Sequence, residues 1–113
     1  MHEVSIMQST LELAGEHLLK AGCTEIHCIR LRVGLLSGVV PEALEFAFEV
    51  LKADFPAANA TLEIERTPGL FSCGACGVEA WLDSMQFECA GCGGLLMLRE
   101  GGADLELVQM KMS

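Results

Sequence analysis

The chain has 113 residues, with 7 Lys and Arg against 16 Asp and Glu, a formal charge of −9 at neutral pH. That length suits one domain, or one domain carrying a small accessory module, and excludes a large multidomain enzyme. Hydrophobic residues make up 51%, so a packed core is expected, while the acidity argues against a binder of nucleic-acid phosphates.

Residues 4–21 predict an amphipathic helix. Val4, Met7, Leu11, Ala14 and Leu18 recur at steps of three and four, with Leu19 and Ala21 widening the stripe. Gly22 is its expected stop. Residues 25–33 alternate as a strand, Ile29, Leu31 and Val33 on one face and Arg30 and Arg32 on the other. Pro41 fits the first turn of a second helix, whose apolar stripe is Leu44, Ala47, Phe48 and Leu51, broadened by Phe46 and Val50. Residues 60–66 alternate again, Leu62 and Ile64 against Glu63 and Glu65, which read as a solvated strand face. A last strand is expected over 104–112. His17, His27, Cys23 and Cys28 read as packed or solvated side chains.

Thr67-Pro68-Gly69 and Gly101-Gly102 are breakers on either side of a cysteine-rich stretch. The order helix, strand, helix, strand, cysteine module, strand predicts an α+β fold. Residues 1–67 and 101–113 form the α+β domain, and 68–100 an inserted module. No apolar run approaches the roughly 20 residues that cross a bilayer. The start Met1-His2-Glu3-Val4-Ser5 has no basic n-region, so no signal peptide and no membrane partner are expected. A cytoplasmic location follows, where thiols stay reduced and six cysteines point to metal or redox chemistry. No catalytic triad order, phosphate loop or paired acids stand out, so no enzyme is expected.

The module reads Cys73-Gly74-Ala75-Cys76-Gly77 and then Cys89-Ala90-Gly91-Cys92-Gly93. Two residues between cysteines let both thiolates of a tight turn converge on one ion, and a following glycine suits a positive-φ backbone. Two such turns supply four sulfurs at tetrahedral vertices, a geometry that suits Zn²⁺ in a closed, structural site of zinc-ribbon type. Iron, or two redox CxxC pairs, are the alternatives. Trp81 and Phe87 are expected to pack over the knuckles. Nucleic acid is disfavoured as a partner: across 66–100, Arg66 and Arg99 face Glu79, Asp83, Glu88 and Glu100.

The second signal is Met1-His2-Glu3. The α-amine of Met1, the amide nitrogen of His2 and its imidazole Nδ1 can close adjacent small rings on one ion, and a deprotonated amide favours planar Ni²⁺ or Cu²⁺. Glu3 offers a fourth donor through its amide or carboxylate. A solvated, frayed terminus is the competing reading.

Together with Val33-Gly34-Leu35-Leu36-Ser37-Gly38-Val39, Pro41-Glu42-Ala43-Leu44-Glu45-Phe46-Ala47-Phe48 and Ala60-Thr61-Leu62-Glu63-Ile64-Glu65, these two signals run through nearly the whole chain. In that order they resemble the HypA/HybF family, nickel metallochaperones of [NiFe]-hydrogenase maturation. The resemblance implies a nickel-binding α+β domain built on a small three-stranded sheet with two helices, plus a zinc module. It places the nickel donors at Met1, His2 and Glu3 and the zinc ligands at Cys73, Cys76, Cys89 and Cys92. Ni(II) is then a transient cargo and Zn(II) a structural ion. The implied partners are a HypB-type nickel GTPase and the hydrogenase large subunit, with urease maturation proteins as further clients. The chain is expected as a monomer or a homodimer. The alternative function is a zinc-ribbon adaptor or scaffold without a nickel role.

Overall fold

The computed structural model describes residues 2–102 and 104–113. Its elements are α1 (His2–Lys20), β1 (Ile26–Gly34), α2 (Pro41–Leu51) with a 3-10 turn at Lys52–Asp54, β2 (Thr61–Thr67), β3 (Gly69–Cys73), β4 (Glu79–Leu82), β5 (Leu96–Gly101) and β6 (Leu105–Met112). No helix among the described residues is long and apolar enough to cross a membrane. The chain forms two compact units. One comprises Met1–Arg32, Val39–Glu65 and Glu106–Ser113, the other Val33–Gly38 and Arg66–Leu105.

In the first unit, α1 buries Met7, Leu11, Ala14 and Leu18, one stripe of a 3.6-residue period. Its end is closed as expected at Gly22, where φ is 70°. The Cys23 amide donates to the Leu18 carbonyl and the Gly22 amide to the Leu19 carbonyl, each at 3.1 Å. This pair of bonds requires left-handed backbone, which glycine adopts without a Cβ clash. Helix α2 begins at Pro41, whose fixed φ suits a first helical position. It packs against α1 and buries Leu44, Ala47 and Phe48.

The sheet order is β2-β1-β6. Ser113 donates to Glu25 at 2.9 Å and Glu25 to Ser113 at 3.0 Å, while Gly34 donates to Asp104 at 2.7 Å. Rising numbers on β1 therefore meet falling numbers on β6, the antiparallel arrangement. Against β2 the numbers rise together: Arg30 reaches Glu63 at 3.0 Å and Arg32 reaches Glu65 at 3.6 Å. These strands are parallel, with α2 in the crossover between them. Central β1 keeps Ile29, Leu31 and Val33 buried. Its arginines form a ladder on the other face, where Arg32 also meets Glu106 at 2.9 Å. Glu63 and Glu65 are thus ion-paired rather than merely solvated, each exposed pair contributing about 0.2–1 kcal/mol.

Four apolar side chains depart from the expected stripes. Leu19 is 78% and Phe46 69% exposed, and Ala21 and Val50 are exposed as well. Leu19 sits one residue, about 100° of helix, past Leu18. With only one face of each helix covered, that rotation carries it into solvent; Phe46, beside buried Ala47, is displaced in the same way.

The second unit is built on the antiparallel sheet β4-β3-β5. Strand β3 buries alternate residues, Gly69, Phe71 and Cys73, as period-two geometry requires. The core consists of Phe71, Cys73, Cys89 and Leu96, with Leu35, Leu82 and Leu98 packed on it. Trp81 and Phe87, expected over the knuckles, are instead 57% and 66% exposed; the ring that fills the core is Phe71. The loop after β1 is drawn in by a close backbone approach. Leu36 donates its amide to the Gly102 carbonyl, and a Cβ on Gly34 would collide with the same carbonyl.

Phe48 and Phe46 give a direct check of this packing. Phe48→Ala is expected to cost about 3–5 kcal/mol through lost burial and a residual cavity. Phe46→Ala is expected to stay within about 0.5 kcal/mol. Urea unfolding of both variants measures the difference.

Candidate metal centre

The two cysteine turns are near copies. Gly77 donates to the Cys73 carbonyl at 2.9 Å and Gly93 to the Cys89 carbonyl at 2.8 Å. Cys73 donates to Val78 at 2.9 Å, and Cys89 donates to Gly94 at 2.8 Å. Gly77 and Gly93 both have φ of 76°, the left-handed conformation anticipated from a glycine after each pair. Cys73 closes β3, which aims the first turn at the second.

The four Sγ atoms lie within 4.8 Å of one another. Cys73 and Cys92 are 3.5 Å apart, and Cys76 and Cys89 3.9 Å. A tetrahedral ion with Zn–S near 2.3 Å has S–S edges of about 3.8 Å, so the cradle fits it. Four sulfur donors are enough to complete a tetrahedral shell with no further ligand. Amides add to the fit, since N–H groups of Ala75 and Cys76 point at Cys73 Sγ, and that of Gly94 at Cys92 Sγ, all at 3.4 Å.

These contacts split the thiols electrostatically. The amides of Cys76 and Ala75 hold Cys73 well below its ordinary 9.0, at about 6. For Cys92 the Gly94 amide pulls downward, but hydrogen bonds with Cys73 and Cys76 outweigh it and push the thiol up to about 12. The amide hydrogen bonds therefore favour the thiolate form at Cys73 over Cys92. Cys23 and Cys28 are free thiols outside the cluster.

The expected nickel donor at Met1 lies outside the described residues. His2 and Glu3 occupy the first turn of α1, where amide N–H groups have no intrahelical acceptor. His2 Nδ1 is 3.5 Å from Glu3 Oε2, the imidazole exposed and the carboxylate largely covered. The Val40 amide donates to the same oxygen at 3.4 Å. The amides of Glu3 itself and of Val40 hold that carboxylate below its ordinary value. The Val40 contact has no side-chain signature, so residue types alone did not point to it. His17 and His27 are not brought into either site; His27 Nε2 instead meets Ser113 Oγ at 2.6 Å.

A family model described as hydrogenase/urease nickel incorporation, metallochaperone, hypA, matches residues 1–112. The chain belongs to the HypA family. Among the HypA relatives, the hydrogenase maturation factor HypA of Chloroflexus aggregans is 38% identical over 112 residues, 98% of each chain. That of Geobacter metallireducens is 37% identical over 112 residues, 99% of each. That of Solidesulfovibrio magneticus is 44% identical over 96 residues, 82% of each. The fold agrees with two HypA solution structures. The structure of the Ni metallochaperone HypA from Helicobacter pylori has a TM-score of 0.64 at 20% identity, covering 97% of this chain and 96% of that one. Another, a HypA protein, has a TM-score of 0.65 at 21% identity, covering 100% and 97%.

Metal uptake at four cysteines displaces protons, so binding strengthens with pH. Because the Cys73 value is depressed, the stability it contributes is complete above about 9 and is lost as pH falls through about 6. Cobalt titrations, read by thiolate-to-metal absorption, are expected to show affinity falling steadily as pH drops, because protons compete with the ion for the four sulfurs. Cys73→Ser is expected to abolish the tetrahedral spectrum at neutral pH, and Cys23→Ser to preserve it.

Proposed function

We propose that this chain carries Ni²⁺ at its amino terminus and hands it on for assembly of the [NiFe]-hydrogenase active site, with Zn²⁺ as a resident structural ion. The donors are the Met1 amine, the amide and imidazole Nδ1 of His2, and Glu3 through its amide or carboxylate. The observation that carries this reading is the juxtaposition of His2 Nδ1 and Glu3 Oε2, 3.5 Å apart in the first turn of α1. Membership in a family described by nickel incorporation supports it.

The first turn suits this chemistry for two reasons. Its amides are free of intrahelical bonds, so losing a proton to a metal breaks no helix hydrogen bond. The positive end of the helix dipole then favours the anionic nitrogens that remain. With two amides deprotonated, the Ni²⁺ complex is close to neutral, which lowers the repulsion a bare dication would meet there. An exposed imidazole and few surrounding groups leave the ion accessible to a receiving protein. Affinity for Cu²⁺ exceeds that for Ni²⁺ at such donors, so selectivity rests on partner docking and metal supply.

Zinc is assigned to Cys73, Cys76, Cys89 and Cys92. Four thiolates leave no open position for substrate, so the ion acts as a folding element. The division of labour follows the chain: residues 1–67 and 101–113 carry the cargo, and 68–100 hold the structural ion. A HypB-type nickel GTPase and the hydrogenase large subunit are the proposed partners, and urease maturation proteins a further destination.

Nickel titration by isothermal calorimetry tests the cargo site. The native-start protein is expected to bind one Ni²⁺ more tightly as pH rises, because protons leave the donors. His2→Ala and a version with residues added before Met1 are both expected to lose that binding. Equal binding in all three proteins overturns the site.

A further inference from the structure

The four zinc-type thiols are not equivalent. Cys73 accepts two amide hydrogen bonds and Cys92 one. Among the described residues no N–H donor reaches Cys76 or Cys89; these two sulfurs meet each other at 3.9 Å. Exposure divides the four differently. Cys73 and Cys89 are buried, and Cys76 and Cys92 are exposed. Cys76 alone is an exposed residue whose sulfur has no amide donor among the described residues.

We infer that Cys76 is the modification site of the cluster, the thiolate that soft electrophiles and hydroperoxides attack first. This rests on the zinc assignment above. In a four-thiolate centre every sulfur is already deprotonated, so reactivity is set by how much charge each one keeps and by access. An N–H donor withdraws charge from its sulfur, and such charge-assisted bonds are the strong ones. Cys73 is doubly quenched and covered, Cys89 is unquenched but covered, and Cys92 is open but quenched. Cys76 keeps its charge and belongs to an exposed residue.

With an alkyl halide, the Cys76 sulfur forms an S–C bond and the halide leaves. With a hydroperoxide, the sulfur forms an S–O bond as the O–O bond breaks. The departing alkoxide or hydroxide takes a proton from water, leaving a sulfenic acid. The Cys89 thiolate then attacks that sulfur, an S–S bond forms and hydroxide leaves. Two thiolates have lost two electrons, the peroxide has gained two, and the ion is left with two of its four ligands. The cluster thereby becomes an oxidant-sensitive clasp on the second unit. Distance alone favours a different disulfide, Cys73 to Cys92 at 3.5 Å, so the two criteria make opposite predictions.

The test uses the full-length protein with its zinc content measured first. Limiting iodoacetamide is added and the modified peptides are mapped by mass over time. Among the four cysteines, Cys76 is expected to be labelled first, at least about tenfold faster than Cys73, from its missing charge-assisted bonds. In a parallel arm, limiting hydrogen peroxide is expected to give a Cys76–Cys89 disulfide, with zinc release followed by a chromogenic chelator. Equal rates, first labelling at Cys92, or a Cys73–Cys92 disulfide in zinc-loaded protein overturns the inference. Failure of the purified protein to retain zinc would instead overturn the zinc assignment, which the initial metal measurement reads separately. Cys76→Ser supplies a second reading if it retains the ion through the remaining three thiolates: its zinc is expected to be lost to peroxide more slowly than that of the unaltered protein, and unchanged or faster loss counts against the inference.

Discussion

Four sulfurs brought within 4.8 Å of one another are the constraint on which the second unit depends. Its buried core cluster, among the described residues, is Phe71, Cys73, Cys89 and Leu96, and two of these are the cysteines themselves. An apolar core this small falls short of what holds a segment of that length folded. Without a cation, the tetrad also sets thiolate charge against neighbouring sulfurs, 3.5 and 3.9 Å apart in its two closest pairs. An ion that satisfies the sulfurs removes this conflict and supplies folding free energy at the same point. The sheet β4-β3-β5 then serves chiefly to deliver Cys73 to one end of its central strand.

The first unit is organised by the opposite economy. Its core comes from the buried faces of α1, α2 and β1, and its proposed cargo site uses no core residue. The donors are main-chain nitrogens and one imidazole at a helix start, where hydrogen-bonding capacity is left over by helix geometry. Four thiolates with no open position favour keeping an ion, and a few exposed donors favour giving it up. The two proposed roles, resident and passenger, follow from these coordination environments rather than from the metals alone.

Much of this was legible in the sequence because it obeys short periods. The α1 stripe, the β1 alternation, the Pro41 start and the glycine after each cysteine pair all express local rules, and the two helices and three strands expected outside the cysteine module each begin within two residues of their expected starts. The cysteine spacing carried the second cluster, since two CxxC turns leave little geometric choice. What escaped depends on tertiary placement. Leu19 and Phe46 are apolar yet exposed, because periodicity says which residues share a face but not how wide a strip the neighbours cover. Phe71 was overlooked although it shares alternation with Cys73; five residues ahead of a cysteine turn are too few to mark a strand by pattern alone. The Val40 amide on Glu3 is a backbone contact between residues 37 positions apart, and side-chain identity does not encode it.

One further consequence concerns Gly34. A Cβ there would strike the Gly102 carbonyl, and the Leu36 amide is fastened to that same oxygen. The stretch of chain between the first strand and the second helix is thus soldered to a loop almost seventy residues away, at a spot where even one methyl group has no room. Leu36 itself is half in solvent, so its side chain has room to change, whereas a side chain at Gly34 has none. Lineages that exchange this glycine would need to rebuild both loops together.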